Sequence, residues 1–287
     1  MISSVLVTGA TGLLGSEVIS RLGSRRVYAA ARHAGTAAGG VSWVQHDFRS
    51  EQPLELPPDT DAVVHLAQST RFREFPEGAQ DMFDVNLRST AQLLDASSRA
   101  GVRRFVFAST GAVYRPSDNP LREEDELEDP PSSYYVAAKR AAELLVGTYS
   151  ALIPTTILRF FFVYGRKQRE DMLLPRLVSM VSEGRPVLLQ GDDGIRLNPI
   201  HVSDAAAAVV GALDLTGDHL MNVAGSETVS IRELACAIAT ALGRVPTFER
   251  LDGGSTGNLV ADISRMSALL TRPKTPLAEG VRDLCAP

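Results

Sequence analysis

Through the first half of the chain, short β-branched runs alternate with longer stretches of helical spacing. Val5-Leu6-Val7 is a buried-strand pattern, repeated at Val27 to Ala31, Ser42 to Gln45, Ala62 to Leu66 and Phe105 to Ala108. Between the last two, Asp81 to Ala100 sets Phe83, Leu87, Ala91 and Leu94 on one side, as a helix would. A second long helix is predicted from Tyr135 to Ser150 and a further strand from Thr155 to Phe161. Strands alternating with helices imply parallel pairing, right-handed crossovers and helices on both faces of a sheet. After Gly165 the alternation loosens. Helices are expected at Leu173–Glu183, Ser203–Leu213 and Ser230–Leu242, with short strands at Val187–Gln190 and Met221–Val223.

Composition narrows the function classes. The chain has 287 residues, 29 Lys+Arg against 34 Asp+Glu and a net charge of -5, which argues against a nucleic-acid binder. No apolar run approaches the roughly 20 residues of a membrane span, and the start MISSVLVTGA lacks the pattern of a signal peptide. The two cysteines, Cys236 and Cys285, suit a cytoplasmic chain and exclude a disulfide scaffold or cysteine zinc site. The histidines His33, His46, His65, His201 and His219 lie on separate elements without metal-ligand spacing, so no metal is expected. Only Lys139, Lys167 and Lys274 are lysines.

The first strand runs into Gly9-Ala10-Thr11-Gly12-Leu13-Leu14-Gly15, a variant of the dinucleotide fingerprint. One glycine permits the tight turn, another the approach of backbone to a pyrophosphate, and the third close packing of helix on strand. The following helix N-terminus offers N–H donors and a positive dipole end. Gly9, Thr11, Gly12, Leu13 and Leu14 are therefore candidate cofactor contacts. The fold class is α/β, a Rossmann-like doubly wound parallel sheet. Residues 1–165 form the NAD(P)-binding domain, and 166–287 mainly a small substrate-binding lobe interleaved with it. An NAD enzyme usually ends its second strand near Asp or Glu. Here the strand ends Ala30-Ala31-Arg32-His33, and Arg32 could pair with a 2′-phosphate, so NADP is preferred over NAD.

Tyr135 and Lys139 stand four apart, hence on one helical face. Lowering a phenol by about three units to act near neutral pH needs roughly 4 kcal/mol of preferential phenolate stabilisation. A nearby Lys⁺ and a cationic nicotinamide could supply it by charge. Upstream, the strand Phe105 to Ala108 ends in Ser109-Thr110, where ligands bind in doubly wound sheets.

The glycine turn, Asp47, His65-Leu66-Ala67, Asn86, Ser109 to Tyr114 and Tyr135/Lys139 occur in an order that resembles the extended short-chain dehydrogenase/reductases. The resemblance continues through Leu158 to Gly165, Ile200 to Asp204, Asn222 to Gly225 and Pro276 to Val281. It implies an NAD(P)-dependent epimerase or ketoreductase of a nucleotide-activated sugar. Tyr135 would be the acid/base, Lys139 its ribose-binding partner, and Thr110, more than Ser109, the substrate-holding hydroxyl. Asp47 and Phe48 would border the adenine, Leu66, Ala67 and Gln68 the nicotinamide, and Asn86 would anchor the site helix. Arg196 would grip the substrate diphosphate. A homodimer through the two long helices is also implied, with Ala137, Ala138, Ala141 and Ala142 permitting either close helix contact or burial under the sheet.

Three departures bear on the activity. Gly111-Ala112 stands where 4,6-dehydratases carry an Asp-Glu pair, which argues against dehydration. Phe162 replaces a common asparagine at the substrate, and the rim from Arg71 to Gly78 is short. A reductase of a non-sugar carbonyl, or a non-catalytic NADP-binding sensor, are the alternatives. The acidic run Glu123 to Glu126 is expected to be a solvated loop.

Overall fold

A computed structural model describes residues 1–33, 35, 40–251 and 257–286. The elements in the first half are β1 (Ser4–Thr8), α1 (Leu13–Arg21), β2 (Arg26–Ala31), β3 (Val41–Gln45), β4 (Ala62–His65), α2 (Ala79–Met82), α3 (Ser89–Arg99), β5 (Arg104–Thr110) and α4 (Tyr134–Thr148). They continue with β6 (Thr155–Phe160), β7 (Val163–Tyr164), α5 (Leu173–Ser182), β8 (Val187–Gln190), β9 (Arg196–Leu197), β10 (Ile200–His201), α6 (Val202–Ala212) and β11 (His219–Val223). The last are β12 (Val229–Ser230), α7 (Ile231–Leu242), β13 (Phe248–Leu251), α8 (Ser264–Leu269) and α9 (Leu277–Cys285). A seven-stranded sheet runs β11-β6-β5-β4-β1-β2-β3. Its pairs β1–β2, β1–β4, β2–β3 and β4–β5 are parallel. The order reverses at β1, between β2 and β4, which opens a crevice at the carboxyl ends of those strands.

The chain divides into two compact units. The first comprises Met1–Val113, Leu127–Arg159 and Ala206–Met221; the second, Tyr114–Glu126, Phe160–Ala205 and Asn222–Pro287. Val5, Leu6 and Val7 are fully buried, as strands covered on both faces must be. The core of the first unit gathers Leu6, Val63, Phe105 and Phe107 with Leu93, Leu94, Ala142 and Val146. In the second unit Leu174, Leu177, Leu189, Leu234, Ile238 and Val281 pack together. There α7 starts with the reciprocal bonds of Ser230 and Glu233 and ends at Gly243 in the left-handed conformation.

Two sequence expectations change. The helical stretch over 81–100 is interrupted by a π-helical segment, Phe83–Arg88, lying between α2 and α3. Just after it the Ser89 and Thr90 hydroxyls donate back to the Val85 and Asn86 carbonyls at 2.6 and 2.8 Å. The extra residue per turn rotates the face: Val85, Leu93 and Leu94 are buried, while Phe83 is 39% exposed. In the acidic run, Glu123 is not solvated. It is buried, and its Oε1 accepts the Asn222 backbone N–H at 2.9 Å. Asn222 also accepts from the Tyr114 hydroxyl at 2.8 Å and donates to the Leu121 carbonyl at 2.9 Å.

Candidate active site

The turn after β1 is built by glycine for want of room. Gly9 has φ +65°, and a Cβ there would meet the Ala67 nitrogen and Leu66 carbonyl at 2.9 Å. A Cβ on Gly15 would lie 2.2 Å from the Gly9 oxygen, so helix and turn meet backbone to backbone. Gly12 is the N-cap of α1 and supplies no side-chain cap, leaving the first-turn N–H groups of Leu13 and Leu14 without a side-chain acceptor. These donors and the open backbone of Gly12 fit a dinucleotide pyrophosphate.

Beside the turn lies a cavity of about 250 Å³. Gly9, Thr11, Gly12, Arg32, Asp47, Phe48, Leu66, Ala67 and Gln68 line it, so the structure brings together most of the candidate cofactor residues. Arg49, Ser69, Thr70 and Asp81 also line it, and nothing in their local spacing singled them out. Arg49 binds the Asp47 carboxylate through Nε at 3.0 Å and Nη2 at 2.6 Å. Bonds from Arg49, with the Arg32 charge adding to them, hold Asp47 down at about 2. Arg32 thus faces a carboxylate that remains ionised.

Thr8, at the end of β1, organises the opposite wall. Its Oγ1 accepts the backbone N–H groups of Leu66 and Ala67, both at 3.1 Å, and lies 2.7 Å from His65 Nδ1. With its lone pairs engaged, the hydroxyl donates to Nδ1. The ring hydrogen then sits on Nε2, which donates to Thr90 Oγ1 at 3.0 Å; Thr90 in turn donates to the Asn86 carbonyl. Burial, reinforced by the Lys139 charge, lowers His65 to about 3, so it is neutral. A strand-end hydroxyl preceding the glycine turn was the available signal, the same one that drew attention to Ser109-Thr110. Asn86 is buried, and its Oδ1 accepts the Ser69 N–H at 2.9 Å.

Tyr135 and Lys139 project from α4, whose N-cap Ser133 accepts the Val136 N–H. The Tyr135 hydroxyl hydrogen-bonds Thr110 and donates to Gln68 Oε1 at 3.3 Å. The structure therefore brings Thr110 to the phenol, whereas Ser109 Oγ is buried without a hydrogen-bond partner among the described residues. Lys139 Nζ donates to the Ala108 carbonyl at 2.8 Å and lies 5.0 Å from the Phe107 ring centre. Burial brings the lysine down to about 8 against the opposing pull of Glu143. The phenol moves opposite to the lowering expected from Lys139: burial pushes it up to about 12, with the Thr110 bond opposing. The protein groups around Tyr135 thus favour its protonated form.

The remaining substrate candidates belong to the second unit. Phe162 has φ +46°, a backbone region that suits asparagine or glycine better than a bulky side chain. Arg196 is exposed on β9, which pairs antiparallel with β12, and its N–H donates to Asn258 Oδ1 at 2.8 Å.

The model of the NAD dependent epimerase/dehydratase family matches residues 5–224. The chain belongs to this family. A UDP-glucuronate 4-epimerase of Thermodesulfobacterium geofontis is 30% identical over 83% of this chain and 76% of its own length. MoeE5 solved with UDP-glucuronic acid and NAD is 29% identical, with a TM-score of 0.86 over 98% of this chain and 97% of that one. The UDP-glucuronic acid 4-epimerase of Bacillus cereus, also solved with its sugar nucleotide and NAD, is 26% identical with a TM-score of 0.86 over the same shares. Family membership bears out the extended short-chain dehydrogenase/reductase resemblance. These complexes also overturn the preference for NADP, since both relatives hold NAD. The physical reason lies at Arg32. It shares the cavity with Asp47, whose carboxylate Arg49 holds ionised, so a 2′-phosphate drawn to Arg32 would also meet that negative charge. Among the described residues, no helix is long and apolar enough to cross a membrane.

Proposed function

We propose that the chain is an NAD-dependent 4-epimerase of a uridine diphosphate sugar, with Tyr135 as acid/base. The observation that carries this is Gln68, which lines the glycine-turn cavity and accepts from the Tyr135 phenol at 3.3 Å. NAD, when bound, supplies the carbon that takes up a hydride from the sugar and returns it. Gly9, Thr11, Gly12, Leu13 and Leu14 would hold its pyrophosphate, Asp47 and Phe48 its adenosine end, and Leu66, Ala67 and Gln68 its nicotinamide side. Thr110 orients the sugar hydroxyl, Tyr135 removes its proton and later restores it, and Lys139 would bind the nicotinamide ribose. Arg196 is assigned to the diphosphate, with Phe162 in place of the amide that relatives carry there. Gly111-Ala112 offers no carboxylate for eliminating water.

Purified protein incubated with UDP-glucuronic acid is expected to yield a mixture of C4 epimers with no net change in nicotinamide absorbance. Stoichiometric oxidation of NADH or NADPH by a keto-sugar nucleotide, without epimerisation, would make it a reductase. Tyr135→Phe should lower kcat by about 10²–10⁴-fold, and near-normal turnover would remove Tyr135 from the mechanism. Mass spectrometry of the copurifying nucleotide is expected to find NAD.

A homodimer through the Phe83–Arg99 stretch and α4 belongs to the same proposal. Leu144, 74% exposed, and Phe83 supply apolar surface there, whereas Ala138 and Ala142 are already buried within the subunit.

A further inference from the structure

Four backbone N–H groups between positions 66 and 71 end on side-chain oxygens. Leu66 and Ala67 donate to Thr8 Oγ1, Ser69 to Asn86 Oδ1, and Arg71 to Ser69 Oγ at 3.0 Å. The Ser69 hydroxyl is itself bound by the Asp81 carboxylate. Beyond it the chain closes a tight turn. Glu74 N–H donates to the Arg71 carbonyl at 2.9 Å, and a Cβ on Gly78 would meet the Arg71 and Glu74 oxygens at 2.7 and 2.8 Å. The short rim from Arg71 to Gly78 is thus a built loop.

That loop presents two side chains to the reactive tyrosine. Gln68 Oε1 accepts from the phenol at 3.3 Å. The Phe72 ring lies 5.3 Å from that of Tyr135, tilted by 53°, and the Arg73 guanidinium lies 5.2 Å from the Phe72 ring centre. Next to this pair, Phe75 stacks on Tyr134 at 5.4 Å and 20°. A phenol carried only by its helix can turn about its side-chain bonds. A ring packed against it and an acceptor on its oxygen hold one orientation.

We propose that residues 68–72 form a fixed cradle for the Tyr135 phenol, in which Gln68 holds the hydroxyl hydrogen and Phe72, a positioning residue, holds the ring. The proposal rests on Tyr135 being the acid/base assigned above. Phe72 keeps water from one side of the phenol, and Gln68 binds the protonated form, so both favour a tyrosine that carries its proton until charge arrives. Charged groups on the elements around the phenol include Lys139, Arg140 and Glu143 on its own helix, and Arg73, the Arg71–Glu74 pair and Asp81 on the loop side. β5 contributes the uncharged Thr110 hydroxyl.

The test is ¹³C NMR of ζ-labelled tyrosines across a pH titration, with Tyr135→Phe identifying the signal. In the unaltered protein loaded with NADH, whose nicotinamide ring is uncharged, the Tyr135 signal is expected to stay in its protonated position while exposed tyrosines titrate near about 10. Phe72→Ala should bring Tyr135 down by about one unit or more and Gln68→Ala should lower it as well, whereas Phe72→Leu, which keeps apolar cover, should not. With UDP-glucuronic acid, Phe72→Ala should lower kcat about tenfold and leave KM within about twofold. An unmoved Tyr135 signal and an unchanged kcat in Phe72→Ala would overturn the cradle. If the unaltered protein turns over no sugar nucleotide but the titration moves as described, the cradle stands and the epimerase assignment fails.

Discussion

A histidine enclosed by Thr8, Thr90 and the rings of Phe48, Phe105 and Phe107 has no room for a second proton. Its folded value, about 3, lies below the ordinary 6.5, so the unfolded chain binds the extra proton first. Stability from this group is fully present above pH 6.5 and is lost as the pH falls towards 3. Within that window it should decline by up to about 1.4 kcal/mol per pH unit. Chemical denaturation at stepped pH is expected to show a shallower decline in His65→Gln, whose amide can replace both bonds. Parallel decline in the two proteins would mean that His65 does not carry the effect. At this scale the placement of Tyr135 and Lys139 on one helix, and of Ser109-Thr110 at a strand end, was legible in the sequence, because local periodicity sets it. Arg32, Arg49 and Glu123 were not, because a charge is interpreted through the partner it meets, and those partners come from folded neighbours.

Between elements, α4 and β6 are joined by a charge pair that no spacing announces. Arg159 binds Glu143 through Nε at 2.9 Å and Nη2 at 2.6 Å, with the two side chains 5% and 9% exposed. Removing one partner strands the other charge in the interior. Arg159→Met should therefore cost about 3–5 kcal/mol in unfolding free energy, and Arg159→Met combined with Glu143→Leu should recover much of it. A loss below about 1 kcal/mol in the single variant, or no recovery in the double, would contradict a buried, mutually dependent pair. The same helix holds Lys139, whose charge Glu143 supports, so the pair also bears on the site. The π-helical segment was equally illegible. Apolar spacing predicts a helix well, but the extra residue arises where Ser89 and Thr90 bond back to carbonyls and Asn86 reaches the loop at Ser69.

For the whole molecule, the apolar surface at Leu144 and Phe83 lies on the two helical stretches assigned to a dimer. If it is the proposed dimer contact, Leu144→Asp should shift sedimentation from dimer to monomer while leaving the far-ultraviolet spectrum unchanged. An unaltered protein that sediments as a monomer would remove the proposal. The doubly wound parallel sheet was legible because strands covered on both faces are nearly continuous apolar runs, and alternation with helices leaves parallel pairing as the economical topology; its seven-strand order came from the structure.

By itself, the sequence determined the strand–helix alternation, the glycine turn, the Tyr135/Lys139 spacing and the family. These depend on local geometry and on residues whose roles follow from their place along one strand or helix. Tertiary structure decided which charges are matched, which face of the 81–100 stretch is buried, and what surrounds the phenol. Desolvation and hydrogen bonding act across elements distant in sequence. Tyr135 meets Gln68 and Phe72 only because β4 and α4 come together beside β5.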